Sequence, residues 1–141
     1  MGETIIIAPA ALKLLETTAR ESAPLEACGL IAGARAPEGL IRVERVFPLP
    51  NLDRSGTHFS IDPMAQLRAV RAIRELGLNP LGNFHSHPET PSRPSAEDLK
   101  FMVDPQAVYL IISLTEDPPV INAFGIDPES GLVALIPAAR P

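Results

Sequence analysis

The chain has 141 residues, 45% of them hydrophobic and 21% charged, with a formal net charge of −5. That length fits one domain over residues 1–141 with a single core, and the acidic balance argues against a general nucleic-acid binder, which carries a basic face. The single cysteine, Cys28, allows no internal disulfide, and no apolar run is long enough for a signal sequence or a membrane helix, so a cytoplasmic, non-membrane protein is expected.

Thr4 to Ala8 is apolar and β-branched, the composition of a strand. Pro9 opens a helix to about Arg20, with Leu12, Leu15 and Ala19 recurring at i, i+3 and i+7. After a polar break over residues 21–25, Glu26-Ala27-Cys28-Gly29 leads into a buried strand through Gly33. Pro37-Glu38-Gly39 reads as a turn, and Leu40 to Pro48 alternates apolar with charged residues, as a half-exposed strand does. Residues 51–56 form a loop and Thr57 to Ile61 a short strand. Asp62-Pro63 has the form of an N-cap with proline at N1. The helix it opens runs to about Leu76, with Leu67, Val70 and Ile73 inward and Gly77 as its stop. Asn79-Pro80 is expected to turn, Leu81 to His87 to form a strand, Glu89 to Pro94 a loop and Ser95 to Met102 a short helix. Val108 to Leu114 is the most apolar strand candidate and should be central, with Val120 to Ile126 and Leu132 to Ile136 completing the sheet. Strands and helices alternate irregularly, which implies an α/β or α+β chain with a mixed sheet.

Chemistry concentrates in Asn83-Phe84-His85-Ser86-His87-Pro88 and in Pro94-Ser95-Ala96-Glu97-Asp98, which together spell H-x-H-x10-D. Side chains at i and i+2 of an extended segment share a side, so His85 and His87 can aim at one point. Asp98 adds a hard ligand from a separate element. Imidazole and carboxylate are ordinary zinc donors, and three protein ligands leave a fourth position open, the count of a catalytic site and not a structural one.

Each of these residues has a plainer reading beside the chemical one. Histidines on strands are often satisfied by ordinary hydrogen bonds. Ser95 and Asp98 fit a helix capping box, and an oxygen of Asp98 used for capping would not be free to ligate. Glu26, at the mouth of an apolar strand, suits a general base for a hydrolytic metal site or a surface carboxylate. Cys28 reads as a small buried hydrophobe, and His58 as a surface or cleft residue, not a ligand. No H-E-x-x-H helix, deaminase cysteine pair or glycine-rich phosphate loop is present, and the chain is too short for a barrel amidohydrolase.

Glu26, then His85-Ser86-His87-Pro88, then Ser95-Ala96-Glu97-Asp98 resemble the JAMM (MPN+) metalloprotease signature. Glu26 to Gly33, and Asn51 with Phe59-Ser60-Ile61-Asp62-Pro63, resemble the family's flanking segments, so the likeness covers most of residues 3–126. The resemblance implies a single-domain, cytidine-deaminase-like α/β fold with a curved mixed sheet flanked by helices. It implies zinc (Zn2+) held by His85, His87 and Asp98 with water, Glu26 as general base and acid, and Ser95 stabilising the oxyanion. Its implied substrates are peptide or isopeptide bonds after the C-terminal Gly-Gly of ubiquitin-like or sulfur carrier proteins, whose tails would dock as an added strand. A zinc hydrolase of small peptides or amides and a non-catalytic binder of such tails are the alternatives. The oligomeric state stays open, a homodimer included.

Overall fold

The computed structural model describes residues 2–139. Its strands are β1 (Thr4–Ile7), β2 (Cys28–Ala36), β3 (Leu40–Leu49), β4 (Asn79–His87), β5 (Val108–Ser113), β6 (Val120–Ile126) and β7 (Val133–Ile136). Its helices are α1 (Pro9–Ser22), α2 (Pro63–Glu75) and α3 (Ala96–Phe101). The strands form one sheet in the order β1-β3-β2-β4-β5-β6-β7. Two pairs, β1/β3 and β4/β5, are parallel and the rest antiparallel, so the sheet is mixed. Beyond β7 the chain returns to the opposite edge. Ile5 N–H donates to Pro137 O at 3.0 Å and Ala139 N–H to Ile5 O at 2.7 Å, so the sheet curves until its two edges meet. Among the described residues, no helix is long and apolar enough to cross a membrane.

Helices cover both faces. α1 buries Ala11, Leu15 and Ala19 on the face that carries Ile31, Ile41, Phe84 and Leu110. α2 lays Ala69 and Ile73 against Leu30 and Ala32 on the other face. Met102, just past α3, packs with Tyr109, Ile111 and Phe124. Every residue of β5 is therefore buried, which is why Val108 to Ser113 reads as a continuous apolar run.

The structure corrects four details of the sequence reading. Thr57 to Ile61 is not a strand, because the Asn51 side chain takes the place of a ladder: its amide donates to His58 O and its carbonyl accepts from Ser60 N–H. Asn79-Pro80 does not turn but begins β4, where the register against β2 slips by one residue at Leu81. A proline is tolerated at such a start, since the ladder donor it lacks is not needed there. Leu67 is 43% exposed and Leu12 37% exposed, because the α2 stripe is centred on Ala69 and Ile73 and the α1 stripe on Ala11, Leu15 and Ala19. Asp62 caps α2 as its sequence suggests, accepting from Ala65 N–H at 2.9 Å.

Gly82 lies in β4 between β2 and β5, and a Cβ there would stand 1.8 Å from the Val108 carbonyl oxygen. Gly77 ends α2 at φ 75° with open space around it. Gly82→Ala should therefore cost about 3 kcal/mol or more, through backbone displacement in a packed sheet. Gly77→Ala should cost only about 1 kcal/mol, through the left-handed backbone alone. Denaturant midpoints compare the two, and equal shifts would contradict this account of β4.

Candidate metal centre

β4 runs parallel to β5 and ends in His85-Ser86-His87, so the alternation of a strand sets both imidazoles on one side and Ser86 on the other. His85 Nε2 lies 3.1 Å from His87 Nε2 and 3.1 Å from Asp98 Oδ2, and His87 Nε2 lies 3.0 Å from the same oxygen. All three residues are buried, and together they could hold a metal ion. Asp98 arrives on the first turn of α3, where Ser95 caps the helix. Ser95 Oγ accepts from Asp98 N–H at 3.0 Å, and Ser95 N–H donates to Asp98 Oδ2 at 2.9 Å. Capping and the facing of both imidazoles thus fall on one oxygen. A carboxylate oxygen has lone pairs for both.

The protons are fixed by the surroundings. His87 Nδ1 lies 2.9 Å from Pro91 O, a group that only accepts, so Nδ1 carries hydrogen and, in the neutral form that ligation requires, the ring presents the Nε2 lone pair inward. With that nitrogen bare, protons cannot satisfy all three edges of the triangle. A cation accepting all three lone pairs does. Burial pulls the Asp98 carboxyl upward, but the hydrogen bonds to His85 and His87 outweigh it and hold the group well below the ordinary range, ionised as a ligand must be. Two nitrogens and one oxygen are donors that suit a divalent transition-metal ion.

Glu26 is buried beside this group. Burial pushes its carboxyl up to about 7; the charge of His87 opposes the rise and that of Asp98 adds to it. Its Oε1 and His85 Nδ1 are buried atoms without a hydrogen-bond partner among the described residues. Its backbone is locked instead. Glu26 N–H donates to Ser55 O at 2.7 Å, its carbonyl accepts from Asn51 Nδ2 at 3.2 Å, and Ala27 N–H donates to Ser86 Oγ at 2.7 Å. The residue between the two histidines is thus the one that ties Glu26 to their strand. The surface reading of Glu26 does not hold.

Other expectations meet their places. Cys28 is buried, with its thiol 3.5 Å from Leu49 O and its pKa pushed up to about 12 by burial, then by Glu26. It is the small hydrophobe of the sequence reading. His58 lines a cleft of about 320 Å3 beside His85 and Asp98, and Phe59 stacks on the His85 ring with centroids 4.7 Å apart. Ser92 and Asn122 escaped the sequence reading. Buried Ser92 donates its hydroxyl to Ile111 O at 2.6 Å and accepts from Asn122 N–H at 3.1 Å, while Asn122 Nδ2 donates to Ser92 O at 2.9 Å. Ser113 Oγ donates to Thr90 O at 2.7 Å. These bonds fix the loop over 89–94 to β5 and β6 and so fix the Pro91 carbonyl that orients His87. No local sequence signal links residues 30 positions apart; Ser86, by contrast, was visible inside the motif.

Residues 9–127 match the sequence profile of the prokaryotic homologs of the JAB domain. The chain belongs to that family. This JAB domain is 41% identical over 100 residues to the CysO-cysteine peptidase of Mycobacterium tuberculosis, a match that covers 71% of this chain and 66% of that one. It is 46% identical over 79 residues to the probable TtuB-protein conjugate cleaving protease of Thermus thermophilus, over 55% of this chain and 49% of that one. The matches thus span two thirds or less of these relatives' own lengths. A solution structure of a Desulfitobacterium hafniense protein superposes with a TM-score of 0.85 at 45% identity, over 96% of this chain and 92% of that one. A JAB1/MPN domain protein from Archaeoglobus fulgidus shares the fold at 19% identity, with a TM-score of 0.60 over 96% of this chain and 98% of that one.

Asn122→Ala should release the Pro91 carbonyl from its fixed place and loosen His87. Outer residues that orient a metal-binding histidine are worth about 10–100-fold in metal affinity, and the lower end is expected here because Ser92 retains its bond to Ile111 O. Competition against a chelating dye measures the change. Unchanged affinity in a folded variant would show that the loop needs no such clamp.

Proposed function

We propose that this JAB domain is a cytoplasmic zinc peptidase that hydrolyses the bond after the C-terminal Gly-Gly of a ubiquitin-like or sulfur carrier protein. The observation that carries the reading is a buried carboxyl of raised pKa, Glu26, beside a buried His-His-Asp triangle. The names of the mycobacterial and Thermus relatives supply the substrate class. His85, His87 and Asp98 would hold the zinc, which when bound acidifies water and polarises the scissile carbonyl.

The chain's own residues divide the remaining work. Glu26, with an Oε1 free of partners among the described residues, takes a proton from the attacking water and passes it to the leaving amine as the C–N bond breaks, while the water oxygen stays on the glycine carbonyl carbon. Ser95 Oγ is occupied as an acceptor by Asp98 N–H, which leaves its hydroxyl proton to donate to the oxygen that gains charge. The tail is held extended, a form in which its backbone pairs with a strand edge and only glycine-sized residues pass a narrow site.

Glu26→Gln should keep its zinc by elemental analysis and lose about 10²–10⁴-fold in turnover. Loss of zinc would make Glu26 a ligand and overturn its role. The same variant carries a pH signature. A carboxyl whose folded pKa is raised from 4.5 to about 7 contributes stability that is complete below 4.5 and is lost as pH rises through 7. In chelator-treated protein, Glu26→Gln should therefore exceed the wild type by roughly 1–3 kcal/mol at pH 8 and match it near pH 4.

Intact-mass spectrometry of a ubiquitin-like carrier from the same genome, extended past its Gly-Gly, tests the activity directly. Loss of the extension should occur with zinc-loaded protein and stop with a chelator. An unchanged carrier mass with zinc in place would rule out the proposed bond.

A further inference from the structure

The cleft beside His85 and Asp98 carries one feature that hydrolysis does not use. His58 projects from the loop after β3 with its side chain 45% exposed, and its Nδ1 lies 2.9 Å from Asp53 Oδ2. Asp53 is itself held, since Ser60 Oγ donates to Asp53 Oδ1 at 3.0 Å and Asp53 N–H donates to Asn51 Oδ1 at 3.0 Å. The carboxylate only accepts, so Nδ1 keeps its hydrogen and Nε2 is the nitrogen left for a ligand. The Asp53 hydrogen bond raises the His58 pKa, which favours the imidazolium and makes Nε2–H a donor.

We propose that His58, positioned by Asp53, forms a carboxylate subsite that reads the free α-carboxylate of a single residue released from the carrier's C-terminus. The proposal rests on the peptidase reading above. It adds that the preferred substrate is a linear tail extended by one residue, and not an isopeptide conjugate. Three observations carry it. Among the described residues, His58 is the only basic side chain lining the cleft apart from His85 of the metal site. The remaining walls include Phe59, Ile61, Phe101 and Met102, which suit a small side chain. The volume of about 320 Å3 sits at the small end for ligand sites and has room for a residue, not a folded partner.

The charged groups facing His58 are Asp53 from its own loop, Glu97 from α3 and Glu26 ahead of β2, all acidic. They sustain the imidazolium, but they also repel a free anion. A carboxylate tethered to a docked tail arrives at high effective concentration and overcomes that repulsion. Free acetate does not. The subsite thus discriminates between substrates while leaving the cleft open to product release.

The test compares two carriers ending in Gly-Gly-Cys, one with a free C-terminal carboxylate and one amidated. Zinc-loaded wild type should cleave the acid about tenfold or more faster in kcat/KM, the scale of one charge-assisted hydrogen bond. His58→Gln should bring the acid-to-amide ratio near one by slowing the acid alone. The ratio should also fall as pH rises through the His58 titration, and Asp53→Asn should move that fall to lower pH. A ratio cancels the titration of Glu26, which both substrates share. A wild-type ratio of one, or a ratio that survives His58→Gln, overturns the subsite. If neither carrier is cleaved, calorimetry with the zinc-loaded Glu26→Gln variant separates the two claims. Tighter binding of the acid that His58→Gln abolishes keeps the subsite and discards the peptidase. Equal binding of acid and amide discards both.

Discussion

Asp98 Oδ2 is the atom on which the centre depends. It accepts from the Ser95 backbone and stands 3.0–3.1 Å from both imidazole nitrogens. A six-residue helix is too short to hold its own shape in water, so α3 needs its capping box, and the box needs the carboxylate turned back over the first turn. The rotation that caps the helix is the rotation that aims the oxygen at His85 and His87. Local helix chemistry and the metal-binding geometry therefore select the same rotamer, and a change that disturbs one disturbs both.

Around this atom the molecule accepts local cost. Glu26 Oε1 and His85 Nδ1 are buried without partners among the described residues, and such atoms cost about 1–3 kcal/mol each. A pKa of about 7 on Glu26 expresses the same expense in protons. Fully buried Leu15, Ile31, Phe84, Leu110 and Ile112 offset it, each contributing about 1.5–3 kcal/mol by leaving water. A sheet covered on both faces can carry a strained polar centre at its strand ends because its interior is apolar throughout. The polar supports that do exist are aimed at orientation: Ser86 at Ala27, Pro91 O at His87, Ser92 and Asn122 at the Pro91 loop. They fix where the reacting groups point more than they stabilise the fold.

What could be read from the sequence was what is local. The i, i+2 spacing of His85 and His87 needs only a strand, and Asp62-Pro63 and Ser95 with Asp98 need only a helix start. These appear in the structure where the residues put them. Features that depend on contacts across the chain were not legible. Thr57 to Ile61 has the composition of a strand, yet one side chain, Asn51, takes up its backbone groups. Leu67 is apolar, but the α2 stripe that meets the sheet passes through Ala69 instead. That Glu26 lies beside the histidines follows from antiparallel pairing of β2 with β4, which sets Cys28 opposite His85. Local pattern alone left Glu26 a surface carboxylate, and the family signature was what separated the two readings.

The division of labour between sheet and loop has a physical basis. His85 and His87 stand on a strand with neighbours on both sides, where backbone position is over-determined and errors of a few tenths of an ångström are resisted. Asp53 and His58 stand on a loop joined to that frame through Asn51, whose side chain bonds to Glu26 O, His58 O, Asp53 N–H and Ser60 N–H. One amide thus gives the loop a fixed relation to the general-base candidate while leaving its outer side chains in solvent. Residues such as Asp53 and His58 can change without disturbing the sheet, whereas the triangle cannot. On the proposed reading, a change in this loop alters what the cleft accepts while the triangle of His85, His87 and Asp98 stays in place.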